Sequence, residues 1–358
     1  MSRPDLTTLL GITHPVVLAP MAGGPSTPAL AAAVSNAGGL GQLGCAYLTP
    51  AQITAEITET RRLTDRPFGV NLFTGGSERA TYPAPDPAAA LALLGRHYAA
   101  LGLPPPAAPA WPEDSLAAQI EAVLAARVAV FSFTFGIAPH ADVARFRAGG
   151  TRVVGTATTV EEARMLADAG VDAVAAQGAE AGGHRGTFAG PFETALVGTL
   201  ALVPQIVDAL PGVPVLASGG IMDGRGIIAA RALGAAGAQM GTAFLTCSES
   251  GLAPAAKARL LAAREDETLI TRAFSGRPAR ALRNLFTEEL ESAGPGARLP
   301  FPLQNAATRP MRNEAGKHGD TGRMSIYTGQ GLRLTRALPA GELVARLVAE
   351  MAAAKTAL

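Results

Sequence analysis

The chain has 358 residues, 48% of them hydrophobic and only 16% charged, which suits one large α/β barrel with an appended piece or two domains. Its 30 basic and 29 acidic residues leave a net charge of +1 and form no long block of one sign, which excludes a nucleic-acid footprint or an acidic tail. Cys45 and Cys247 make no disulfide framework, and there is neither an apolar leader nor a run of the roughly 18 apolar residues that span a membrane. A soluble cytoplasmic protein is expected, monomeric or homodimeric.

In chain order, apolar runs at 15–21, 40–44, 68–73, 128–133, 152–156, 171–176, 213–217 and 238–244 read as buried strands. Helices are expected between them at 28–36, 50–62, 115–126, 139–147, 160–169, 196–210 and 223–233. Proline opens the second of these, and Thr158 or Thr159 caps the fifth. Continuous apolar strands alternating with helices imply a parallel sheet covered on both faces. Eight of them close a (β/α)8 TIM barrel, whose active site lies at the C-terminal strand ends. A doubly wound open sheet fits less well, because site-like segments follow nearly every strand instead of meeting at one crevice.

Two stretches break the alternation. Residues 74–114 are Pro-rich around a short helix holding Arg96, His97 and Tyr98, and residues 249–323 read as helical and then irregular. Long insertions in a compact domain are usually functional. Residues 1–73, 115–248 and 324–358 are therefore assigned to the barrel, and 74–114 with 249–323 to a smaller lid or substrate domain. A final amphipathic helix, 342–354, returns to the barrel wall.

The sixth strand climbs into Gln177-Gly178-Ala179-Glu180-Ala181-Gly182-Gly183-His184-Arg185-Gly186-Thr187-Phe188. Glycines at 182, 183 and 186 let the backbone approach a ligand and adopt positive φ, and His184 can exchange a proton near neutral pH. The plain alternative is a glycine-rich turn with a solvated histidine. Other strand ends bear on the choice. Ala19, Pro20, Met21 and Ala22 set small residues beside any planar ligand in the barrel mouth. Asn71 interrupts an apolar strand, and a buried amide needs partners; a ligand is the reading preferred over a turn cap. Ser218, Gly219 and Gly220 follow the seventh strand, and Gln239, Met240, Gly241 and Thr242 the eighth. Loops at those two places, beside the helix that starts near Asp223, are the frequent phosphate site of this fold. Gln177 would then meet the ring system that the phosphate tail anchors.

A phosphate tail with amide donors around a flat ring suggests FMN. No G-x-G-x-x-G indicates a dinucleotide site, no G-x-S-x-G elbow a serine hydrolase, and no histidine–cysteine set a metal. The remaining histidines have plainer readings: His14 at a strand entry, His140 at a helix start, His318 in a charged loop and His97 at the surface. Cys45 is read as a small packed residue.

The motifs Ala19-Pro20-Met21-Ala22-Gly23-Gly24, Val70-Asn71-Leu72-Phe73, 177–188, Ala217-Ser218-Gly219-Gly220-Ile221-Met222-Asp223-Gly224-Arg225 and Tyr327-Thr328-Gly329-Gln330-Gly331 together resemble the nitronate monooxygenases, formerly 2-nitropropane dioxygenases, of the class I branch. The resemblance implies an FMN enzyme that oxidises alkyl nitronates with O2 to a carbonyl compound and nitrite. It further implies FMN contacts at Met21, Asn71, Gln177, Gly182, Gly220 and 239–242, with His184 beside the flavin and Tyr327 in the substrate pocket. FMN-dependent NAD(P)H enoyl-thioester or quinone reductases share the glycine turns and an Ala-Gly-Gly-His segment, and form the rival expectation.

Overall fold

The computed structural model describes residues 5–357. Eight parallel strands form the barrel: β1 Val16–Leu18, β2 Gly41–Gly44, β3 Phe68–Phe73, β4 Val130–Thr134, β5 Arg152–Ala157, β6 Ala173–Gln177, β8 Val215–Ser218 and β9 Gly237–Met240. The intervening β7, Gly183–His184, lies outside it. The strands bond in the order β1-β9-β8-β6-β5-β4-β3-β2, and a parallel bridge from Val17 to Leu40 brings the two ends of the row together. This is the (β/α)8 architecture. Two strands are much shorter than the apolar runs suggest. After Leu18 the ladder ends within two residues, because Pro20 has no N–H to continue it. After Met240 the chain turns at Gly241 and winds into a 3-10 helix, Thr242–Phe244. The helix expected over 196–210 is α8, Thr199–Ala209, preceded by a 3-10 turn at Phe192–Ala195.

The barrel interior is layered. At the N-terminal strand ends, Leu6 and Leu10 of the short helix α1, Leu6–Leu10, pack with Val17, Leu40, Val130, Val154, Ala173 and Leu216. Above them lies a connected polar layer. Gln42 Nε2 donates to the Leu18 carbonyl at 3.0 Å and to Gln239 Oε1 at 3.2 Å. Ser132 Oγ donates to Gln42 Oε1 at 2.9 Å, and Asn71 Nδ2 to Ser132 Oγ at 2.9 Å. Buried polar groups persist only when paired, and this chain of amides and hydroxyls ends at the barrel mouth. Outside, α13, Ala340–Thr356, returns to pack on α9, Gly224–Ala232, and α2, Pro28–Asn36.

The two insertions pack on each other. The first contains α4, Ala88–Ala100; the second contains α10 Pro254–Leu261, the hairpin β10 Thr268–Thr271 and β11 Ala279–Leu282, then α11 Leu285–Ala293 and α12 Leu303–His318. The expectation of helix followed by irregular chain over 249–323 is thus corrected. Pro310 inside α12 hides that helix from a sequence reading. It is tolerated because Pro310 and Ala306, whose carbonyl loses its donor, are both exposed to water. Leu93, Leu94 and Tyr98 join Phe274, Phe286, Leu290, Leu303 and Met311 in one apolar cluster.

His97 is not at the surface. It follows Ala90, Leu93 and Leu94 at helical spacing on the packed face of α4, is 1% exposed, and sits edge-on to Phe286 at 4.9 Å. Burial lowers its pKa, against the opposing pull of Glu289. His318, expected in a loop, instead ends α12 and lies 3.1 Å from Glu314.

Candidate active site

The C-terminal strand ends open on a cavity of about 940 Å³. Every candidate residue named from the sequence lines it: Ala19, Pro20, Met21, Ala22, Asn71, Gln177, Gly182, Gly183, His184, Ser218, Gly219, Gly220, Gln239, Met240, Gly241, Thr242 and Tyr327. Tyr47, Phe73, Phe135, Arg309 and Arg312 line it as well, and sequence reasoning missed them. Tyr47 and Phe73 had a usable signal, since each follows or ends a barrel strand. The two arginines stand on the helix that Pro310 obscured.

Pairing fixes His184. β7 runs antiparallel to β11, with His184 opposite Ala279 and Gly183 opposite Arg280. On the same edge of β11, Tyr327 bridges Ala281. Residues 279 and 281 share one face of the pleat, and so do their cross-strand partners. His184 and Tyr327 therefore face the same way, with ring centroids 5.2 Å apart. The glycine run is accordingly an edge strand rather than a turn. The close approach allowed by Gly182 is to the chain itself: a Cβ there would lie 2.5 Å from the Gly329 nitrogen and the Thr328 carbonyl carbon. Phe135, Phe301 and Phe73 surround the imidazole at 5.7, 6.2 and 6.4 Å. Phe135 holds φ at 76°, a strained value for a bulky residue, with the Arg277 guanidinium 4.0 Å over its ring.

His184 Nε2 lies 2.8 Å from Ser275 Oγ, and that hydroxyl is also 3.1 Å from the Arg277 carbonyl. Ser275 has one proton for the two. When it goes to the carbonyl, Nε2 carries the ring hydrogen and Nδ1 is the basic atom. Burial, then the cations of Arg277 and Arg312, lower the His184 pKa from 6.5 to about 3. Both arginines are held by neutral groups. Arg277 donates to the carbonyls of Thr187 at 2.5 Å and Arg185 at 3.4 Å; Arg312 donates to Asn305 O at 3.0 Å and Oδ1 at 2.7 Å. Glu78, whose charge reaches Arg277, is paired with Arg272. Among the described residues neither the Arg277 nor the Arg312 guanidinium has a carboxylate partner, and their charges favour an anion in the cavity that Arg312 lines.

The His184 shift makes stability depend on pH. Above about pH 6.5 the ring is neutral whether the chain is folded or unfolded. Below it the unfolded chain takes up a proton that the native ring refuses until about pH 3, so this ring subtracts stability as pH falls through that window. Urea unfolding of wild type should weaken between pH 6.5 and 4, and His184→Asn should lose on the order of 1–3 kcal/mol less over the same interval. Identical acid sensitivity in the two proteins would contradict the buried neutral imidazole.

Several groups hold the segment that carries His184. Gln177 Nε2 donates to the His184 carbonyl at 2.9 Å, and Gln177 Oε1 accepts from Gly186 N at 2.8 Å, so its amide braces its own loop at both ends. Arg185, 1% exposed, donates to the carbonyls of Gly178, Gln177 and Ala195 at 2.6–3.1 Å. Glu162 accepts from Thr158, Phe188 and Ala189. Asn71 caps no turn; it donates to Ser132, and among the described residues its Oδ1 accepts nothing. The start of α9 is not free for a phosphate. Asp223 takes the amides of Arg225 and Gly226, and Glu350 takes that of Gly224. A phosphate cradle must come from the turns themselves. Consecutive left-handed glycines at 219 and 220, φ 119° and 73°, form such a concavity, and no acceptor among the described residues takes the Gly220 amide. The residues present fit a phosphate-tailed planar cofactor.

The sequence profile of the family described as Nitronate monooxygenase matches residues 3–350. The chain belongs to the nitronate monooxygenase family. It is an enzyme, an oxidoreductase of a flavin-using family, as the motif resemblance implies. A probable nitronate monooxygenase of Staphylococcus aureus (strain Newman) is 40% identical over 348 residues, 97% of each chain. The solved nitroalkane oxidase from Streptomyces ansochromogenes is 43% identical with a TM-score of 0.89, covering 99% of both chains. FabK from Thermotoga maritima is 30% identical with a TM-score of 0.78, over 100% of this chain and 98% of its own. Among the described residues no helix is long and apolar enough to cross a membrane.

Proposed function

We propose that this nitronate monooxygenase family member is an FMN enzyme that oxidises alkyl nitronates with O2 to carbonyl compounds and nitrite. The observation that carries the reading is the anion-favouring pocket around a neutral His184. FMN would be held by Ala19 to Ala22, Asn71, Gln177 and the glycines at 182 and 183, with its phosphate on 218–220 and 239–242. When bound, the flavin supplies the redox chemistry. The chain's own residues do the rest. Arg277 and Arg312 attract the nitronate charge, Phe73, Phe135 and Phe301 keep water from the reacting carbon, and His184 presents a basic nitrogen. A ring whose pKa is about 3 is a weak base, which favours a substrate that arrives already deprotonated over a neutral nitroalkane. The insertions at 74–114 and 249–323 serve as the lid of this pocket. Buried reduced Cys45 and Cys247, with thiol pKa values pushed up to about 12 by burial, suit a cytoplasmic enzyme.

A second reading, an NAD(P)H-driven enoyl-thioester or quinone reductase, draws support from the 30% likeness to FabK. Anaerobic mixing of the purified yellow protein separates the two. Flavin bleaching by propyl nitronate, with slow or no bleaching by NADH and NADPH, is the expected result. Rapid bleaching by a pyridine nucleotide and none by nitronate would replace this reading with the reductase.

A further inference from the structure

We propose that Arg312 binds the charged end of the substrate, its Nε–H and the Tyr47 hydroxyl donating to the two oxygens of the nitronate. The assignment rests on the nitronate reading above. Arg312 projects from α12 into the cavity. Its other nitrogens are occupied: Nη2 by Asn305, and Nη1 by Ser325 Oγ at 3.3 Å. Nε is buried and without a partner among the described residues, and so is the Tyr47 hydroxyl. A buried donor denied both water and an acceptor is costly, and native proteins keep few of them without a reason.

The two donors belong to one constellation. Tyr47 lies 5.5 Å from Phe73, which lies 6.4 Å from His184, and the Arg312 charge acts on Tyr47, Tyr327 and His184 alike. The Tyr327 hydroxyl approaches Ser275 without completing a good hydrogen bond, and adds a third donor on the same side. Burial raises the Tyr47 pKa, so its hydroxyl keeps the proton it must donate. A planar guanidinium edge beside a hydroxyl matches a planar anion with two oxygens. Among the described residues no carboxylate pairs with Arg312, and the counter-charge is left to the ligand.

Nitrate, planar and unreactive, probes the site in the flavin-loaded protein through perturbation of the flavin absorbance, alongside steady-state oxidation of propyl nitronate. Arg312→Met should weaken nitrate binding and raise the nitronate KM, each by about tenfold or more, with kcat changed much less. Arg312→Lys should recover part of both. Tyr47→Phe removes one oxygen and keeps the ring, and should cost about three- to tenfold in the same two quantities; it carries the test if Arg312→Met fails to fold. Unchanged nitrate affinity and KM in Tyr47→Phe and the folded Arg312 variants would overturn the assignment, as would a wild type that binds no nitrate. A wild type that binds nitrate through Arg312 but oxidises no nitronate would remove the proposed reaction and leave the anion site standing.

Discussion

His184→Asn is expected to lower turnover of a neutral nitroalkane toward the lower end of the roughly 10²–10⁴-fold that a positioned proton acceptor is worth, because a ring with a pKa of about 3 is a weak base. Loss on a preformed nitronate should be far smaller. Asparagine keeps a hydrogen-bonding group of similar reach but cannot take the α-proton, and a nitronate has already lost it. The scaffold survives the change, because what fixes position 184 is backbone pairing with Ala279. Among the described residues the only polar partner of the ring is Ser275, a short side chain that can bond an amide equally well. Steady-state rates on nitroethane and its nitronate, measured with matched flavin content, give the comparison. Equal large losses on both substrates would mean that the imidazole holds the anion instead of moving a proton. No loss on either would reduce it to one more residue of an edge strand.

Gly220→Val should yield folded protein that is mostly free of flavin. Position 220 sits at φ 73°, a conformation that costs an ordinary residue about 1–2 kcal/mol and a β-branched one more. Within the protein, however, a Cβ there meets nothing nearer than Glu180 Cβ at 3.4 Å. Strain is therefore tolerable to the barrel, and a β-branched residue at φ 73° should shift the 219–220 turn assigned to the phosphate. The contrast is Gly182, where a Cβ would strike the backbone of 328–329 and the fold itself should suffer. Flavin-to-protein absorbance ratio and circular dichroism on the purified variant decide it. Full FMN occupancy in Gly220→Val would remove the phosphate assignment.

Local pattern was enough to read the barrel. Most strand positions are apolar because parallel strands are buried on both faces, with Gln42, Asn71 and Gln239 among the polar exceptions, and several helices carry their own start signal, such as Thr49 with Pro50 or Asp223 before Gly224. The strand ends were legible for the same reason: once the strands are placed, the residues following them must line one mouth. What the sequence could not contain was anything decided by pairing between distant segments. β11 is four residues long, yet its edge aligns His184 with Tyr327, and no periodicity links positions 184, 279 and 327.

The same limit explains the other corrections. His97 is buried because α11 and Arg323 come to lie over it, which a polar residue in a Pro-rich stretch does not announce. The sequence places a phosphate on the glycine turns beside α9, and only the folded chain shows that Glu350, from the far end of the chain, takes the first amide of that helix. Gln177 lines the cavity as its place at a strand end implies, and only the folded chain shows that its amide also braces its own loop. The identity of the site residues was thus set by local sequence. Their partners, their protonation and the side from which each faces the cavity were set by tertiary contacts, because desolvation and hydrogen bonding depend on neighbours in space and not on neighbours in the chain.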